Sequence, residues 1–175
     1  MKPPPPPVWR LALESQFVAA IDMLENAVRA CPGREWDDAT LPVSQRFWYL
    51  VFHTAFWLDF YLSEREQGFA PPAPFTLAEF VAAGAYPEHA YTQQQLLAYL
   101  EHGRDKLRHR FALLTDEAAA RLCPIAARDM SLLELHLYNM RHVQHHAAQL
   151  NLLLRQRTDS APGWVGRGKR DDSGA

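Results

Sequence analysis

Two histidines near the C-terminal end of the sequence, His142 and His146, have the spacing of metal ligands on a helix. Residues four apart on an α-helix lie on one side of it, one turn apart. Two imidazoles placed in this way can bind a single metal ion, as they do in other helical His-x-x-x-His sites. The competing interpretation is a pair of interior histidines held by hydrogen bonds, the usual role of a lone buried histidine. The paired spacing favours the metal interpretation.

A third histidine, His53, lies in the most apolar stretch of the chain, residues 47–62. The neighbours on its helical face are apolar or aromatic: Tyr49, Leu50, Phe56, Trp57 and Phe60. Burying an imidazole among them without a partner costs free energy, so some group must satisfy it. A metal ion bound by His142 and His146 on a facing helix would do so. A hydrogen bond to Tyr49 or to a backbone group would also do so.

The adjacent His145 is the alternative ligand, because it is three residues from His142 and could also reach a shared ion. Four residues advance a helical side chain about 40° past a full turn, whereas three fall about 60° short. His146 is therefore preferred, and His145 is predicted to lean toward the helix edge or solvent. If His145 were a fourth ligand, the site would resemble closed structural zinc sites.

Apolar residues recur at three- and four-residue steps in four long segments, which predicts four helices. The first covers residues 9–30, the second about 44–63, the third starts at Thr92, and the fourth covers 131–157. The irregular stretch 64–91 is too long for a tight turn and is predicted to cross between the ends of a bundle. The predicted fold is all-α, a four-helix bundle with a long crossover between helices two and three.

Pairs of Ser or Thr with Glu or Gln three residues later have the spacing of a capping box and mark three helix starts. They are Thr76 with Glu79, Thr92 with Gln95, and Ser131 with Glu134. The first pair would begin a short helix over residues 77–83 inside the crossover. Long loops often border functional pockets, so residues 69–75 are predicted to form a lid or wall.

The two ends of the chain are predicted to lie outside the bundle. Residues 1–8 are rich in proline and are expected to form a disordered arm, and residues 167–175 a disordered tail. The bundle domain would then cover residues 9–166. Trp164 is expected to pack back on this bundle.

Composition and charge exclude several classes of function. The chain has 18 basic and 20 acidic residues and a net charge of -2, which gives no electrostatic case for nucleic acid. Residues 47–62 are short for a bilayer and include His53 and Asp59, so no membrane partner is expected. Two cysteines are too few for a disulfide scaffold, and the proline-rich start does not fit a signal peptide. These features predict a cytoplasmic protein.

Several catalytic motifs are missing from the sequence. There is no Glu-x-x-His, which di-iron bundles need on two helices, and no His-Glu-x-x-His of a zinc peptidase. The only Gly-x-Gly lies near the C-terminus, so no phosphate-binding loop is expected. The remaining candidate for chemistry is the histidine set.

Three features together resemble the DinB-like superfamily of bacterial four-helix bundles. His53 lies in an aromatic second helix, Tyr-Leu-Val-Phe-His-Thr-Ala-Phe-Trp-Leu-Asp, and the crossover contains Gly-Phe-Ala-Pro-Pro at 68–72. The last long helix contains His142 and His146, then Ala-Gln-Leu at 148–150, which is similar to the family's His-x-x-x-His and Gly-Gln-Leu. Alanine stands where the family usually has glycine. The resemblance covers nearly the whole chain.

The resemblance implies a divalent metal ion, with zinc or nickel the usual suggestions, bound by His53, His142 and His146, and it implies a homodimer. Characterised relatives include metal-dependent thiol transferases and isomerases that use bacillithiol, mycothiol or glutathione. The expected function is therefore a metal-dependent thiol S-transferase acting on small molecules, with a small-molecule thiol as co-substrate. The alternative is a non-catalytic dimeric bundle with a structural metal or an interaction role. Three protein ligands favour the enzyme, because they leave a position open for water, a thiol or substrate.

Histidine ligands need hydrogen-bond acceptors on their outer nitrogens to fix the tautomer. The polar candidates near the three histidines in sequence are Asp59, Glu134, Asn139 and Gln149. His102 and His109 fall on the outer face of the third helix and are predicted to be solvated. Cys31 and Cys123 are interpreted as loop thiols, so no separate nucleophile is expected.

Overall fold

The computed structural model describes residues 5–81, 85–123, 125 and 129–168. The regular structure in these ranges is helical, so the all-α prediction is confirmed. The α-helices are α1 Val8–Ala30, α2 Gly33–Trp36, α3 Phe47–Ser63, α4 Gln93–Leu113, α5 Asp116–Ala120 and α6 Leu132–Thr158. Residues 1–4 of the predicted arm, residues 82–83 of the predicted short helix and residues 169–175 of the predicted tail lie outside the described residues.

The starts of α4 and α6 follow from their capping residues. The Thr92 hydroxyl accepts the backbone N–H of Gln95, whose side chain in turn accepts the backbone N–H of Thr92, a complete capping box. The Ser131 hydroxyl accepts the backbone N–H of Glu134 and caps α6. Both predicted starts are therefore confirmed.

The four long helices surround one apolar core. α1 packs against α4 and α6, and α3 packs against the same two helices. The largest fully buried side chains come from α1, α3 and α4, including Phe17 of α1, Phe52 and Phe56 of α3, and Phe111 of α4, while α6 adds buried residues such as Leu150. α3 is apolar on most of its surface, because it packs against α4, α6 and the crossover that follows it.

The crossover between α3 and α4 is fixed to α3 by aromatic side chains. Phe69 is buried against Phe56 and Phe60, and Phe75 stacks on Tyr99 of α4 with ring centroids 4.3 Å apart. Residues 69 and 75 are thus part of the core packing. The next turn of the crossover, residues 78–80, is the part that approaches the histidines.

Two local predictions were wrong. Thr76 does not cap a helix at 77–83. The described part of that segment contains a 3-10 turn, Ala78–Phe80, which has no side-chain cap. The Glu79 carboxylate bonds instead to the side chains of Tyr49 and His53.

The prediction for Trp164 was also wrong, because this side chain does not pack on the bundle but is 73% exposed. The segment is held instead by the backbone N–H of Gly168, which donates to the Ser15 carbonyl at 3.1 Å. A Cβ at Gly168 would lie 2.5 Å from Val18, so only glycine fits there.

Candidate metal centre

Helices α3 and α6 bring the three predicted site residues together. One ring nitrogen from each of His53, His142 and His146 lies within 4.8 Å of the other two. The Nε2 atoms of His53 and His142 are 3.2 Å apart. The ring centroids of His142 and His146 are 4.6 Å apart, as expected for side chains one helical turn apart.

The position of His142 and His146 on α6 follows from the apolar face of that helix. Val143 and Ala147 are fully buried in the core, and each follows one of the two histidines in sequence. The two imidazoles therefore lie at the border of the buried face, where α6 meets α3. Both rings are partly buried.

The remaining histidines of α4 and α6 that the sequence singled out lie outside this group. His145 is exposed, with its ring centroid 5.1 Å from that of His146. His102 and His109 are exposed on α4. His102 is not only solvated, because its Nε2 lies 3.4 Å from Asp59 on the opposite side of α3.

A carboxylate from the crossover fixes the orientation of His53. Glu79 Oε2 accepts hydrogen bonds from His53 Nδ1 at 2.7 Å and from Trp57 Nε1 at 2.8 Å. Its other oxygen accepts from the Tyr49 hydroxyl at 2.7 Å. Burial alone would raise the pKa of Glu79, but these donors outweigh it and hold the pKa below its usual range. Because Nδ1 of His53 donates to this carboxylate, its Nε2 presents a lone pair to the group.

The side chain of Gln149 plays the same part for His146. Its amide oxygen lies 2.7 Å from His146 Nδ1, which leaves Nε2 of that ring as the free nitrogen. Gln149 was one of the four predicted acceptors. Among the other three, Asp59 bonds to Lys106 and Tyr99, Asn139 donates to the Leu58 carbonyl, and Glu134 lies in the first turn of α6.

Sequence reasoning missed Glu79, the acceptor of His53. Its spacing from Thr76 was interpreted as a helix cap, although it lies 26 positions from His53 and inside the crossover. The signal in the sequence that could have identified Glu79 was the set of residues around it. It is an acidic residue in a loop flanked by aromatic residues, and long loops often border functional sites.

Burial determines the protonation state of the two α6 histidines. It lowers the pKa of His142 to about 3 and that of His146 to about 4, and the neighbouring histidines act in the same direction. Both rings are therefore neutral at pH 7, the form in which histidine binds a metal ion. Within the described part of the chain, the buried Nδ1 of His142 has no hydrogen-bond partner.

The donor set fits a divalent cation. The Nε2 atoms of His53 and His142 are 3.2 Å apart and can share only one proton. Without a cation, one ring must therefore donate its N–H to the lone pair of the other. Three neutral imidazoles suit zinc, nickel, copper or iron, and the carboxylate on the outer nitrogen of one ring is typical of metal-binding histidines.

A groove of about 530 Å³ opens beside His142 on the outer side of α6. Tyr138, Arg141 and His145 also line it. A small molecule in this groove would contact one member of the histidine group directly.

The comparisons with known proteins identify the family. The model of the DinB superfamily matches residues 16–150, well over half of the chain and including all three histidines. The chain therefore belongs to the DinB superfamily. Nothing among the curated proteins or the solved structures matches it. Within the described ranges, none of the helices combines the length and the apolar character that crossing a membrane requires.

Proposed function

We propose that His53, His142 and His146 bind one divalent metal ion and that the chain is a metal-dependent thiol S-transferase acting on small molecules. The observation that carries the proposal is the convergence of three ring nitrogens within 4.8 Å, two of them with outer nitrogens already engaged by Glu79 and Gln149. Membership of the DinB superfamily supports it. We also propose the four-helix bundle topology, since each long helix packs against two of the others.

A divalent ion at this site would act as a Lewis acid that lowers the pKa of a thiol or water placed beside it. The protein's own residues prepare the site. Glu79 orients the His53 ring, and Tyr49 and Trp57 hold that carboxylate in place. Gln149 fixes the tautomer of His146. With rings oriented in advance, little reorganisation is needed on binding.

Two observations favour a catalytic site over a closed structural one. His145, the residue that could supply a fourth imidazole, lies outside the group, and structural zinc sites almost always have four protein ligands. In addition, His142 lines an open groove that a small molecule can enter. A small molecule in that groove would lie beside one ligand of the proposed site.

The thiol is proposed to come from a second molecule and not from the chain. Cys31 and Cys123 are both buried. Burial, with Glu35 nearby, raises the pKa of Cys31 to about 12, so this thiol stays protonated at neutral pH. In the transfer, a carbon–sulfur bond would form between the small-molecule thiol and an electrophilic acceptor. The thiol proton and the acceptor's leaving group would be released.

A screen of thiols against acceptors tests the activity. Bacillithiol, mycothiol and glutathione would each be combined with 1-chloro-2,4-dinitrobenzene, and the release of chloride and the absorbance of the thioether would be measured. We expect turnover with at least one thiol in metal-loaded protein and its loss after treatment with a chelator. Metal-independent turnover, or none with any thiol, would instead favour the non-catalytic alternative. The homodimer and the cytoplasmic location stay predictions.

A further inference from the structure

Among the described residues that line the groove beside His142, one has a permanent charge, and that charge is positive. Arg141 lines this groove together with the exposed His145, and among the described residues that line the groove none is Asp or Glu. A cavity wall with one guanidinium and no carboxylate favours an anionic occupant.

The Arg141 side chain is not neutralised by any of the residues that the structure describes. In the part of the chain that the structure describes, its guanidinium has no hydrogen-bond or ion-pair partner, whereas Arg104 of α4 is bonded to Asp22 and Glu25. The sequence explains the difference. The residues three and four positions from Arg141 on α6 are Leu137, Tyr138, Gln144 and His145, so no acidic side chain is placed to pair with it.

The groove also has an aromatic lining residue, Tyr138, which lies one helical turn before Arg141 on α6. The ring centroid of Tyr138 is 5.4 Å from that of Tyr61 on α3. Tyr61 in turn lies 5.4 Å from Trp57, and Trp57 lies 6.4 Å from His53. A row of aromatic rings thus connects the groove to the histidine group.

We propose that this groove binds a small organic anion, with its acid group on Arg141 and its apolar part against Tyr138. The anion would then lie next to His142, in reach of the proposed metal site. Guanidinium is suited to this role because its planar fork can donate two parallel hydrogen bonds to one carboxylate. The inference rests on the proposed function, because it assigns a class of substrate to that same site.

A matched pair of probes tests the charge requirement. 4-Nitrobenzoate and 4-nitrobenzamide have nearly the same shape but differ in charge, and their binding to chelator-treated protein can be measured by isothermal titration calorimetry. We expect the carboxylate to bind about 5 to 10 times more tightly, as for a partly exposed charged hydrogen bond. Arg141→Gln should remove the difference between the probes, and Arg141→Lys should keep part of it.

Arg155→Gln provides the control, because Arg155 is also exposed on α6 but is not among the residues that line the groove. It should leave the preference for the carboxylate unchanged. The inference is overturned if Arg141→Gln keeps the full preference, if Arg155→Gln removes it equally, or if neither probe binds the unaltered protein.

The chelator-treated arm separates this inference from the proposed function. If the protein binds no metal ion and shows no thiol transfer, but Arg141 still selects the carboxylate, the proposed function fails and the anion site stands. If metal-dependent transfer occurs but Arg141→Gln has no effect on the binding of the probes, the proposed function stands and the anion site fails.

Light scattering on the same samples tests whether a second copy of the chain occupies the groove instead. A mass of two chains that Arg141→Gln reduces to one would assign the groove to contact between copies and overturn the inference.

Discussion

Two polar clusters lie on the same helix, α3, six residues apart, and they differ in how their charges are balanced. His53 faces α6 and meets His142 and His146. Asp59 faces α4, is 1% exposed, and meets Lys106, whose ammonium bonds to its carboxylate. Tyr99 donates to the same carboxylate at 3.2 Å.

The Asp59 cluster is complete without any further group. The ammonium of Lys106 also donates to Ser63 Oγ at 2.6 Å and to the Asp59 carbonyl at 3.2 Å. One buried negative charge is thus matched by one positive charge with its donors engaged. The histidine cluster has the opposite character, because its nitrogens face one another and supply more lone pairs than protons. The Asp59 cluster therefore stabilises the fold, whereas the histidine cluster is suited to a cation from outside.

The largest expected effect concerns the Asp59 cluster. Asp59→Ala would leave the partly buried ammonium of Lys106 without its counter-charge, and we expect a loss of about 3 kcal/mol in the free energy of unfolding. Urea denaturation would measure it. Metal affinity of the folded protein should be unchanged. Asp105→Ala is the control, since its ion pair with Arg108 is exposed and should contribute less than about 1 kcal/mol. Loss of metal binding in Asp59→Ala without a loss of stability would reverse the roles assigned to the clusters.

A smaller effect is expected at Glu79, on the side of the histidine cluster. Glu79→Gln removes the charge that accepts from His53 Nδ1, and we expect metal affinity to fall by about 10- to 100-fold. Competition with a chromophoric chelator would measure it. Glu88→Gln, an exposed change in the same crossover, should have no such effect. Equal affinities in the two variants would show that Glu79 does not support the site.

The histidine cluster should also make the stability of the protein sensitive to acid. His142 and His146 have pKa values depressed in the folded protein, so below about pH 6.5 the unfolded chain binds protons that the folded chain does not. Stability from these rings is complete above that pH and is lost as the pH falls toward 4. Between pH 7 and 5.5 we expect the metal-free protein to lose about 1 to 2 kcal/mol of unfolding free energy. Replacing both rings by glutamine should flatten this slope, whereas a slope unchanged in that variant would contradict the assignment.

The smallest expected effect belongs to Gln149. Its amide fixes the tautomer of His146 from an exposed position, so solvent water can replace it. We expect Gln149→Leu to lower metal affinity only by about 2- to 5-fold, as for a neutral hydrogen bond open to water. The same chelator competition would measure it. A loss as large as that of Glu79→Gln would show that the tautomer of His146, and not that of His53, limits binding.

The predictions made from the sequence succeeded where a short-range pattern carries the information. The spacing of His142 and His146, the capping box at Thr92 and the Ser131 cap of α6 depend on neighbours within one helical turn, and the structure has all of them. His53 was found because an imidazole in an apolar helix requires a partner.

Long-range features could not be found in the same way. The bond from His53 to Glu79 depends on how the crossover folds back over α3, which no local spacing encodes. Similarly, Trp164 is exposed, and the segment that follows α6 contacts the bundle at Gly168, where a close approach to Val18 leaves no room for a side chain. Hydrophobicity alone favoured the tryptophan as the anchor.

Metal content of the histidine variants tests the central claim most directly. The unaltered protein and its His53→Ala, His142→Ala, His145→Ala and His146→Ala variants would be loaded with zinc or nickel, dialysed, and measured by elemental analysis. We predict about one ion per chain in the unaltered protein and in His145→Ala, and little in the other three, because two imidazoles hold a divalent ion weakly. Stoichiometric metal in all of the variants would contradict the account, and so would metal lost in His145→Ala but retained in His146→Ala.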